Sequence, residues 1–172
     1  VESSSEPSSK ASSAAESNSI GARESEEIIL TAPVLSPLDI HPRTSLIVVE
    51  QLRRNHYLKK TVNDELSGHI FDKYLTVLDP GHYYFIAGDI AEFEQYRFGI
   101  DDALKKGDLD PAFIIFNRYQ QRIVNRLNYL VGLIDSGLEN LDFSREESIL
   151  VSREKAEWSI DEAAHDDLWR RR

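Results

Sequence analysis

The sequence has 172 residues, of which 41% are hydrophobic, and a formal net charge of −10 from 30 acidic and 20 basic side chains. A surface of this sign repels phosphate backbones, which argues against nucleic acid as a partner. Because cysteine is absent, disulfides, cysteine zinc sites and thiol catalysis are excluded. The apolar content is sufficient for one domain of ordinary size plus a tail.

Neither a membrane span nor a signal peptide is visible in the sequence. No stretch approaches the ~20 apolar residues that a transmembrane helix needs, and the longest apolar-rich run, residues 127–134, is interrupted by Asn128. A cationic start followed by an apolar segment is missing. The chain also lacks methionine, so we interpret Val1 as a residue other than the translational start. Removal of a signal peptide before Val1 is compatible with the sequence.

Residues 1–27 contain ten serines, six glutamates and no aromatic residue. Such a segment cannot bury enough apolar surface to offset its ordering entropy of ~1–2 kcal/mol per residue. We therefore predict a disordered tail. A truncated chain that starts at Glu27 is expected to be as stable as the intact chain.

Residues 28–41 are predicted to form an extended strap on the domain, because Pro33 and Pro37 interrupt the apolar run and disfavour a helix. Burial of its aliphatic side chains at ~1.5–3 kcal/mol each would offset the ordering cost. A chain that starts at Asp39 should therefore be destabilised. These side chains are Ile28, Ile29, Leu30, Val34, Leu35 and Leu38.

Residues 42–158 are predicted to form a helical domain, which opens with two helices. The first runs from about Pro42 to Tyr57, and the second follows Asn63 as N-cap and stops at Asp79-Pro80-Gly81. Apolar residues recur at steps of three and four in both helices, which predicts their buried faces. These residues are Leu46, Val49, Leu52 and His56 in the first helix, and Leu66, Ile70, Tyr74 and Val77 in the second.

Asp89, with Glu92 three residues on, predicts the capped start of a third helix. Its inner stripe would be Ile90, Phe93 and either Tyr96 or Arg97. Residues 100–106 either continue this helix or form a short new one, and Gly107 ends it.

A long central helix is predicted from Asp110 as N-cap and Pro111 as first residue to about Asp135, a length of nearly 40 Å at ~1.5 Å per residue. Its predicted buried face includes Leu127, so Leu127→Asp should cost several kcal/mol. The other positions of that face are Phe113, Phe116, Ile123, Leu130 and Ile134.

Residues 138–158 lose periodicity and are predicted to be a connecting segment that contacts the core through scattered apolar side chains. Ser159 and Glu162 have capping-box spacing, which predicts a final helix over residues 159–172. We expect that helix to continue past Arg172 toward a further domain. The predicted fold is therefore all-α, with about five helices around one long central helix. The apolar residues of the connecting segment 138–158 are Leu141, Phe143, Ile149, Leu150, Val151 and Trp158.

The histidines give no convincing metal site. A helical site needs His and carboxylate ligands three or four residues apart on one face. His69 with Asp72 and Lys73, and His165 with Asp161, come nearest. Neither has a second local pair, and both lie on predicted solvent faces. We predict no metal ligands and no cofactor.

No catalytic residues are predicted either. The carboxylate pairs lie at helix starts or on solvated faces, whereas acid–base catalysis needs two carboxyls in different, partly buried environments. No serine has a glycine-flanked nucleophile elbow, and no glycine loop could cradle phosphate. The pairs are Asp64/Glu65, Asp101/Asp102 and Asp166/Asp167.

Two further patterns involve aromatic and basic side chains. The aromatic run 83–85 is either a recognition patch or a segment in which two of the three side chains fill the core where the chain reverses. The clusters Arg53-Arg54 and Lys59-Lys60 are basic segments of an acidic protein, and we interpret them as solvated cations that complement a helix end. The chain also ends in a basic cluster, residues 170–172.

Residues 51–80, QLRRNHYLKKTVNDELSGHIFDKYLTVLDP, resemble the N-terminal helical domain of the tail-specific (carboxy-terminal processing) proteases of Gram-negative bacteria. Further blocks of the resemblance follow in order, namely FNRYQQRIVNRLNYL at 116–130 and FSREESILVSREKAEW at 143–158. The likeness extends from about Asp39 to the end of the chain. The serine-rich tail has no counterpart in it.

The resemblance implies a secreted parent enzyme in the periplasm. In that family a PDZ domain and a serine protease core with a Ser–Lys dyad follow the helical domain. The substrates are proteins with apolar C-termini, and some members work with a helical-repeat lipoprotein adaptor. None of the family's catalytic positions lies in this chain. The implied role is therefore to buttress the protease core and enclose substrate, and the 172-residue chain itself should be inactive.

The alternative is a free-standing helical adaptor that binds a partner protein. The absence of a repeat period of 34 to 47 residues argues against a solenoid form of it. A coding sequence that stops after Arg172 would favour the adaptor. A PDZ-like domain with a later serine and lysine would favour the protease.

Overall fold

The computed structural model describes residues 29–55, 62–137, 142 and 144–172, so the predicted tail lies outside the described part. The described residues form six α-helices and no β-strand, which confirms the all-α prediction. There is one helix more than predicted, because residues 100–106 form their own. The helices are α1 (Ile40–Asn55), α2 (Asp64–Leu78), α3 (Ala87–Phe93), α4 (Ile100–Lys106), α5 (Asp110–Asp135) and α6 (Glu162–Arg170), with a 3-10 turn at Glu94–Tyr96 between α3 and α4.

Within these ranges, no helix combines the length and the apolar character that crossing a membrane requires.

Helix ends follow local sequence signals in some places and depart from them in others. The Asn63 side chain accepts the Leu66 N–H at 3.2 Å, which confirms the predicted N-cap of α2. Gly107 ends α4 with φ +74°, a left-handed conformation that glycine adopts without strain. Asp110, predicted as the N-cap of α5, is instead its first residue, and Leu109 precedes it as N-cap.

The predicted starts of α3 at Asp89 and of α6 at Ser159 are wrong. Ile86 is the N-cap of α3, and Asp89 lies three residues on, where its carboxylate accepts the Ile86 N–H. Asp161 is the N-cap of α6, and its side chain accepts the Ala164 N–H at 2.8 Å. The prediction that α6 still runs at Arg172 is also wrong, because the helix ends two residues earlier.

The core lies where α2, α3 and the first half of α5 meet the segment after α2. Phe85 is at its centre, with ring centroids 5.5 Å from Phe93, 5.7 Å from Tyr119 and 5.9 Å from Trp158. Edge-on and tilted aromatic contacts of this kind are favourable beyond the area that they bury. The buried cluster is Phe71, Leu75, Phe85, Phe93 and Ile115.

Helix α4 joins α1 and α2 through hydroxyl groups. The buried Ser67 of α2 donates its Oγ–H to the Arg97 carbonyl at 2.8 Å and accepts the Ile100 N–H at 2.9 Å. On the other side, the Ser45 hydroxyl of α1 donates to the Leu104 carbonyl. Small side chains at these contacts let the helix backbones approach closely.

The predicted buried faces of α1 and of the second half of α5 are wrong, and so is the position of Val77 on the buried face of α2, because Val77 is 64% exposed. His56 lies outside the described residues. Leu46 and Leu52 of α1 and Leu127 of α5 are each 43% exposed, so Leu127→Asp would not bury a charge.

No apolar residue of α5 beyond Ile115 is buried. The periodicity correctly predicts helices, but α5 is ~39 Å long, and its second half contacts α6 through the polar Arg126 and not through its apolar stripe.

The connecting segment also contacts the core less than predicted. Trp158 packs against the core cluster as expected, whereas Ile149, Leu150 and Val151 are exposed. Leu141 and Phe143 lie outside the described residues.

The strap is predicted over residues 28–41, but α1 begins at Ile40. The described part of the strap is therefore residues 29–39, and its aliphatic side chains are mostly exposed. Ile29, Val34 and Leu38 are more than 60% exposed. The segment is attached instead by hydrogen bonds between its backbone and the side chains of Asn117 and Asn128 on α5. The expected contribution from apolar burial is therefore wrong.

Gly107→Ala is expected to lower the free energy of unfolding by about 2 kcal/mol. A Cβ at Gly107 would lie 3.0 Å from the Pro42 carbonyl oxygen, and the φ of +74° is unfavourable for any side chain. Gly132→Ala is the matched control, because its Cβ would meet nothing within 4 Å in a helix interior, and it should stabilise by ~0.5–1 kcal/mol. Urea denaturation measures both. Equal effects of the two substitutions would contradict the role of Gly107.

Candidate functional site: a buried polar network at the last helix

Asp79 organises the turn that leads out of α2. Its side chain is 1% exposed, and its carboxylate accepts the N–H groups of Tyr83 and Tyr84 at 2.8 Å and of Phe85 at 3.1 Å. Three successive backbone donors are satisfied by one side chain. This arrangement turns the chain back and places Phe85 in the core.

Asp89 forms the second buried carboxylate centre and joins α3 to α5. It is 1% exposed and pairs with Arg118 at 2.5 Å and Arg122 at 2.8 Å. Burial alone would raise the pKa of Asp89, but hydrogen bonds from Arg122, from the Ile86 N–H and from Arg118 outweigh it and hold the pKa below its ordinary value of 3.8. The carboxylate is therefore charged at neutral pH.

Helix α6 attaches to α5 through two arginines. Arg122 extends from Asp89 to Glu162 at the start of α6, so one guanidinium links three helices. Arg126, which is 5% exposed, pairs with Asp166 at 2.8 Å. Within the described part of the chain, its Nε and Nη1 atoms have no hydrogen-bond partner. The guanidinium instead lies over the aromatic rings of Tyr129 and Trp169, at 4.7 and 5.5 Å from their centroids.

The tautomer of His165 follows from its neighbours. Its Nδ1 lies 2.8 Å from Arg126 Nη2, and since an arginine can only donate, Nδ1 must accept. Nε2 then carries the hydrogen and donates to the Tyr83 carbonyl at 2.7 Å. Burial and the positive charges of Arg126 and Arg122 outweigh the Tyr83 carbonyl and Glu162, and they lower the pKa of His165. His165 is therefore a neutral residue in the interior.

The Tyr83 carbonyl is the point where the turn and α6 meet. It accepts the His165 ring N–H and also the indole N–H of Trp169 at 2.8 Å. Both lone pairs of one backbone oxygen are thereby used. A second contact between the segments is the backbone pairing of Ile86 with Ser159. The turn from Asp79 to Ile86 thus fixes α6 against α5.

The chemistry of this network is structural. Both buried carboxylates are engaged by several donors, and both nitrogens of His165 are hydrogen bonded, so no group is positioned to transfer a proton to a ligand. Among residues 29–55, 62–137, 142 and 144–172, no group of three or more His, Asp or Glu side chains could hold a metal ion.

The candidate residues of the sequence analysis differ in how deeply the structure buries them. His69 is exposed as predicted, whereas His165 is 2% exposed and not on a solvent face. Asp101 is likewise buried, where Lys105 pairs with it at 2.7 Å. Of the aromatic run, Phe85 is in the core. Tyr83 and Tyr84 are half-buried against Trp169, so one aromatic side chain of the run, and not two, lies in the core.

The basic clusters are paired with carboxylates on the surface. Arg53 and Arg54 both contact Glu50 on α1. Arg170 pairs with Glu147 and Asp167. Lys59 and Lys60 lie outside the described residues. None of the described clusters offers several unpaired cations together.

Sequence reasoning did not identify Asp79 and Arg126 as centres of this network. A signal for Asp79 was available, because Asp before Pro-Gly at a helix end commonly binds the backbone of the following turn. No comparable local signal marks Arg126, since its partners lie about 40 residues away in sequence.

Comparison with known proteins identifies related chains. Residues 48–172 match the family described as the tail specific protease N-terminal domain. The chain is 35% identical over 120 residues to the tail-specific protease of Haemophilus influenzae, a match that covers 69% of this chain and 17% of that protein. The chain thus spans less than a fifth of the length of this relative. The strap lies before the matched region, whereas Asn117 and Asn128 lie within it.

Proposed function

The chain belongs to the tail-specific protease family, whose N-terminal domain it matches over residues 48–172, and from this premise we propose that it is a non-catalytic domain of a protease. Its role is to buttress the protease core and to help enclose the polypeptide substrate. The parent is a multidomain protein, because the match covers only 17% of the Haemophilus influenzae relative.

The observation that carries this proposal is an uncovered apolar groove between α1 and α4. Val48, Val49 and Leu52 of α1 line it together with Leu104 and Leu109. Ser45 is the only buried residue of α1, so this helix leaves most of its aliphatic surface in water. Contiguous exposed apolar surface of this kind marks a site of protein contact.

The proposed occupant of the groove is the remainder of the same polypeptide. The family relative has more than four fifths of its length outside the matched region, which provides ample structure to cover a helix face. A permanent contact within one chain is also where apolar surface is favoured over charged surface.

The finer features of the parent are those that the family resemblance implies. We propose a serine-type endopeptidase with a Ser–Lys dyad in a downstream core and a PDZ domain that binds apolar C-terminal tails. We further propose a periplasmic location and, as a partner, a helical-repeat lipoprotein adaptor. The catalytic groups lie outside the 172 residues, so this chain alone should not cleave protein.

Val48→Glu/Leu52→Glu in the full-length parent protease is expected to reduce cleavage of an unfolded protein with an apolar C-terminus by at least tenfold. Two charges would be placed in a groove that needs an apolar cover. In the isolated 172-residue chain the same pair should change stability by no more than ~1 kcal/mol, because both positions are about half exposed. Cleavage rates and thermal unfolding provide the two measurements.

Gln51→Glu is the matched control, because it adds a charge to the exposed side of the same helix and should leave cleavage unchanged. Full activity of the double variant would remove the groove from the proposed interface. Cleavage by the 172-residue chain itself, if it persists through repurification, would overturn the non-catalytic assignment.

A further inference from the structure

Two asparagines on α5 each bind one residue of the strap through both of its backbone groups. Asn117 accepts the Leu35 N–H at 2.9 Å and donates its side-chain amide to the Leu35 carbonyl at 2.8 Å. Asn128 does the same with Leu30, at 2.9 Å for both bonds. Each side-chain amide therefore makes the pair of hydrogen bonds that a neighbouring β-strand would make.

The spacing of the two asparagines matches an extended chain. They are 11 residues apart on α5, which is ~16.5 Å along the helix axis at ~1.5 Å per residue. Leu30 and Leu35 are five residues apart, which is also ~16.5 Å at ~3.3 Å per residue of extended chain. The strap must therefore be nearly extended, and it runs antiparallel to α5. Any extended main chain has the same repeat.

All four hydrogen bonds of the contact are made to the strap backbone, while Leu30 and Leu35 keep 37% and 39% of their surface exposed. Val34 is 86% exposed, and Ile29 and Leu38 are also largely in water. The two prolines of the strap, Pro33 and Pro37, lack N–H groups but stand at positions that the asparagines do not contact. The four hydrogen bonds lie at the surface, where water competes for them. Such an occupant can exchange.

We propose that Asn117 and Asn128 form a binding site for an extended polypeptide main chain, and that residues 29–38 occupy it in cis as a replaceable ligand. The ligand in trans is an unfolded polypeptide segment, read through its backbone with little regard to sequence. The inference rests on the proposed function only for the source of that polypeptide, a substrate chain held beside the protease.

The test uses the whole 172-residue chain with the strap released. Leu30→Pro/Leu35→Pro removes the two N–H donors that the asparagines accept and leaves α5 unchanged. A fluorescent peptide with the sequence of residues 29–38 is titrated into this variant and into the unaltered chain, and its anisotropy is measured. We expect at least tenfold tighter binding to the released variant, because its site is empty.

The asparagine pair is tested in the same background. Asn117→Leu/Asn128→Leu, which keeps side-chain size, should weaken peptide binding at least tenfold. Asn125→Leu is the matched control, because Asn125 is an exposed α5 amide that contacts Gln121 and not the strap. Equal binding to the unaltered and released chains, or binding that survives loss of both asparagines, would overturn the proposal.

Backbone reading is tested with modified peptides. N-methylation at the positions of Leu30 and Leu35 should abolish binding, whereas N-methylation at Thr31 and Val34 should not. A peptide with permuted aliphatic residues should bind within about threefold of the original, and loss of its binding would refute recognition through the main chain.

A second measurement covers the case in which the released variant does not fold. Hydrogen exchange of the unaltered chain should show slow amides at Leu30 and Leu35 and a faster one at Val34, and excess peptide should accelerate the two slow ones. Cleavage by the full-length protease is a separate measurement, and its outcome does not depend on whether the peptide binds. The two proposals can therefore fail independently.

Discussion

Asp89→Ala is expected to lower the free energy of unfolding by about 3 kcal/mol, the lower end of the range for breaking a buried ion pair. The substitution leaves Arg122 without its main partner and removes the acceptor of the Ile86 N–H at the start of α3. We expect the lower end of this range of free energies because Arg118 is partly exposed, so its guanidinium can be hydrated when the carboxylate is removed. Urea denaturation at pH 7 provides the measurement.

Glu92→Ala is the matched control for Asp89. Glu92 also pairs with Arg118, at 2.8 Å, but its side chain is 57% exposed, and exposed pairs contribute less than ~1 kcal/mol. If both substitutions cost the same, burial of Asp89 would not be the source of the effect.

The contribution of Asp89 also depends on pH. Its pKa is lower in the folded chain than its ordinary value of 3.8, so the unfolded chain takes up the proton first as pH falls. The stabilisation is therefore present above about pH 4 and is lost as pH falls through the lower, folded pKa. The difference in unfolding free energy between the unaltered chain and Asp89→Asn should shrink from pH 5 to pH 3. A constant difference would contradict this linkage.

Asp79→Ala is expected to destabilise the domain by about 2–4 kcal/mol, because it leaves three partly or completely buried N–H groups without an acceptor. Asp79→Asn should have an intermediate effect, since one acceptor oxygen remains. The Trp169 indole binds the carbonyl of this turn, so tryptophan fluorescence should report loosening of α6 in both variants.

Asp72→Ala is the control for Asp79 on the same helix. Its carboxylate is 61% exposed and pairs with Arg97, so the expected cost is less than ~1 kcal/mol. If Asp79→Ala and Asp79→Asn lower the free energy of unfolding equally little, the turn is held by other contacts.

The sequence predicted well those features that depend on residues close together in the chain. The N-cap of α2 at Asn63 and the end of α4 at Gly107 each follow from one residue and its neighbours. The start of the long helix near Pro111 also follows from residues next to it in the chain. The family assignment, which rests on several ordered blocks, is confirmed by the match over residues 48–172.

Features that depend on distant partners could not be predicted in the same way. Periodicity shows that Leu127 lies on an apolar stripe, but which stripe is covered depends on where the other helices end. The sequence predicts His165 on a solvent face, because its partners, Tyr83 and Arg126, are 82 and 39 residues away and give no local signal. Polar contacts of this range have no sequence period.

The uneven packing of α5 has a consequence for local unfolding. Its first half is rooted in the core at Ile115, whereas in its second half Arg126 is the one buried side chain and no residue of the helix after it is buried. Segments with few buried contacts open at a lower free energy than the whole domain. Asn128 lies in that second half and holds the Leu30 end of the strap, while Asn117 lies nearer the core. Opening would therefore begin where Asn128 holds Leu30 and continue toward Asn117 and Leu35. The C-terminal end of α5 and the strap would open together.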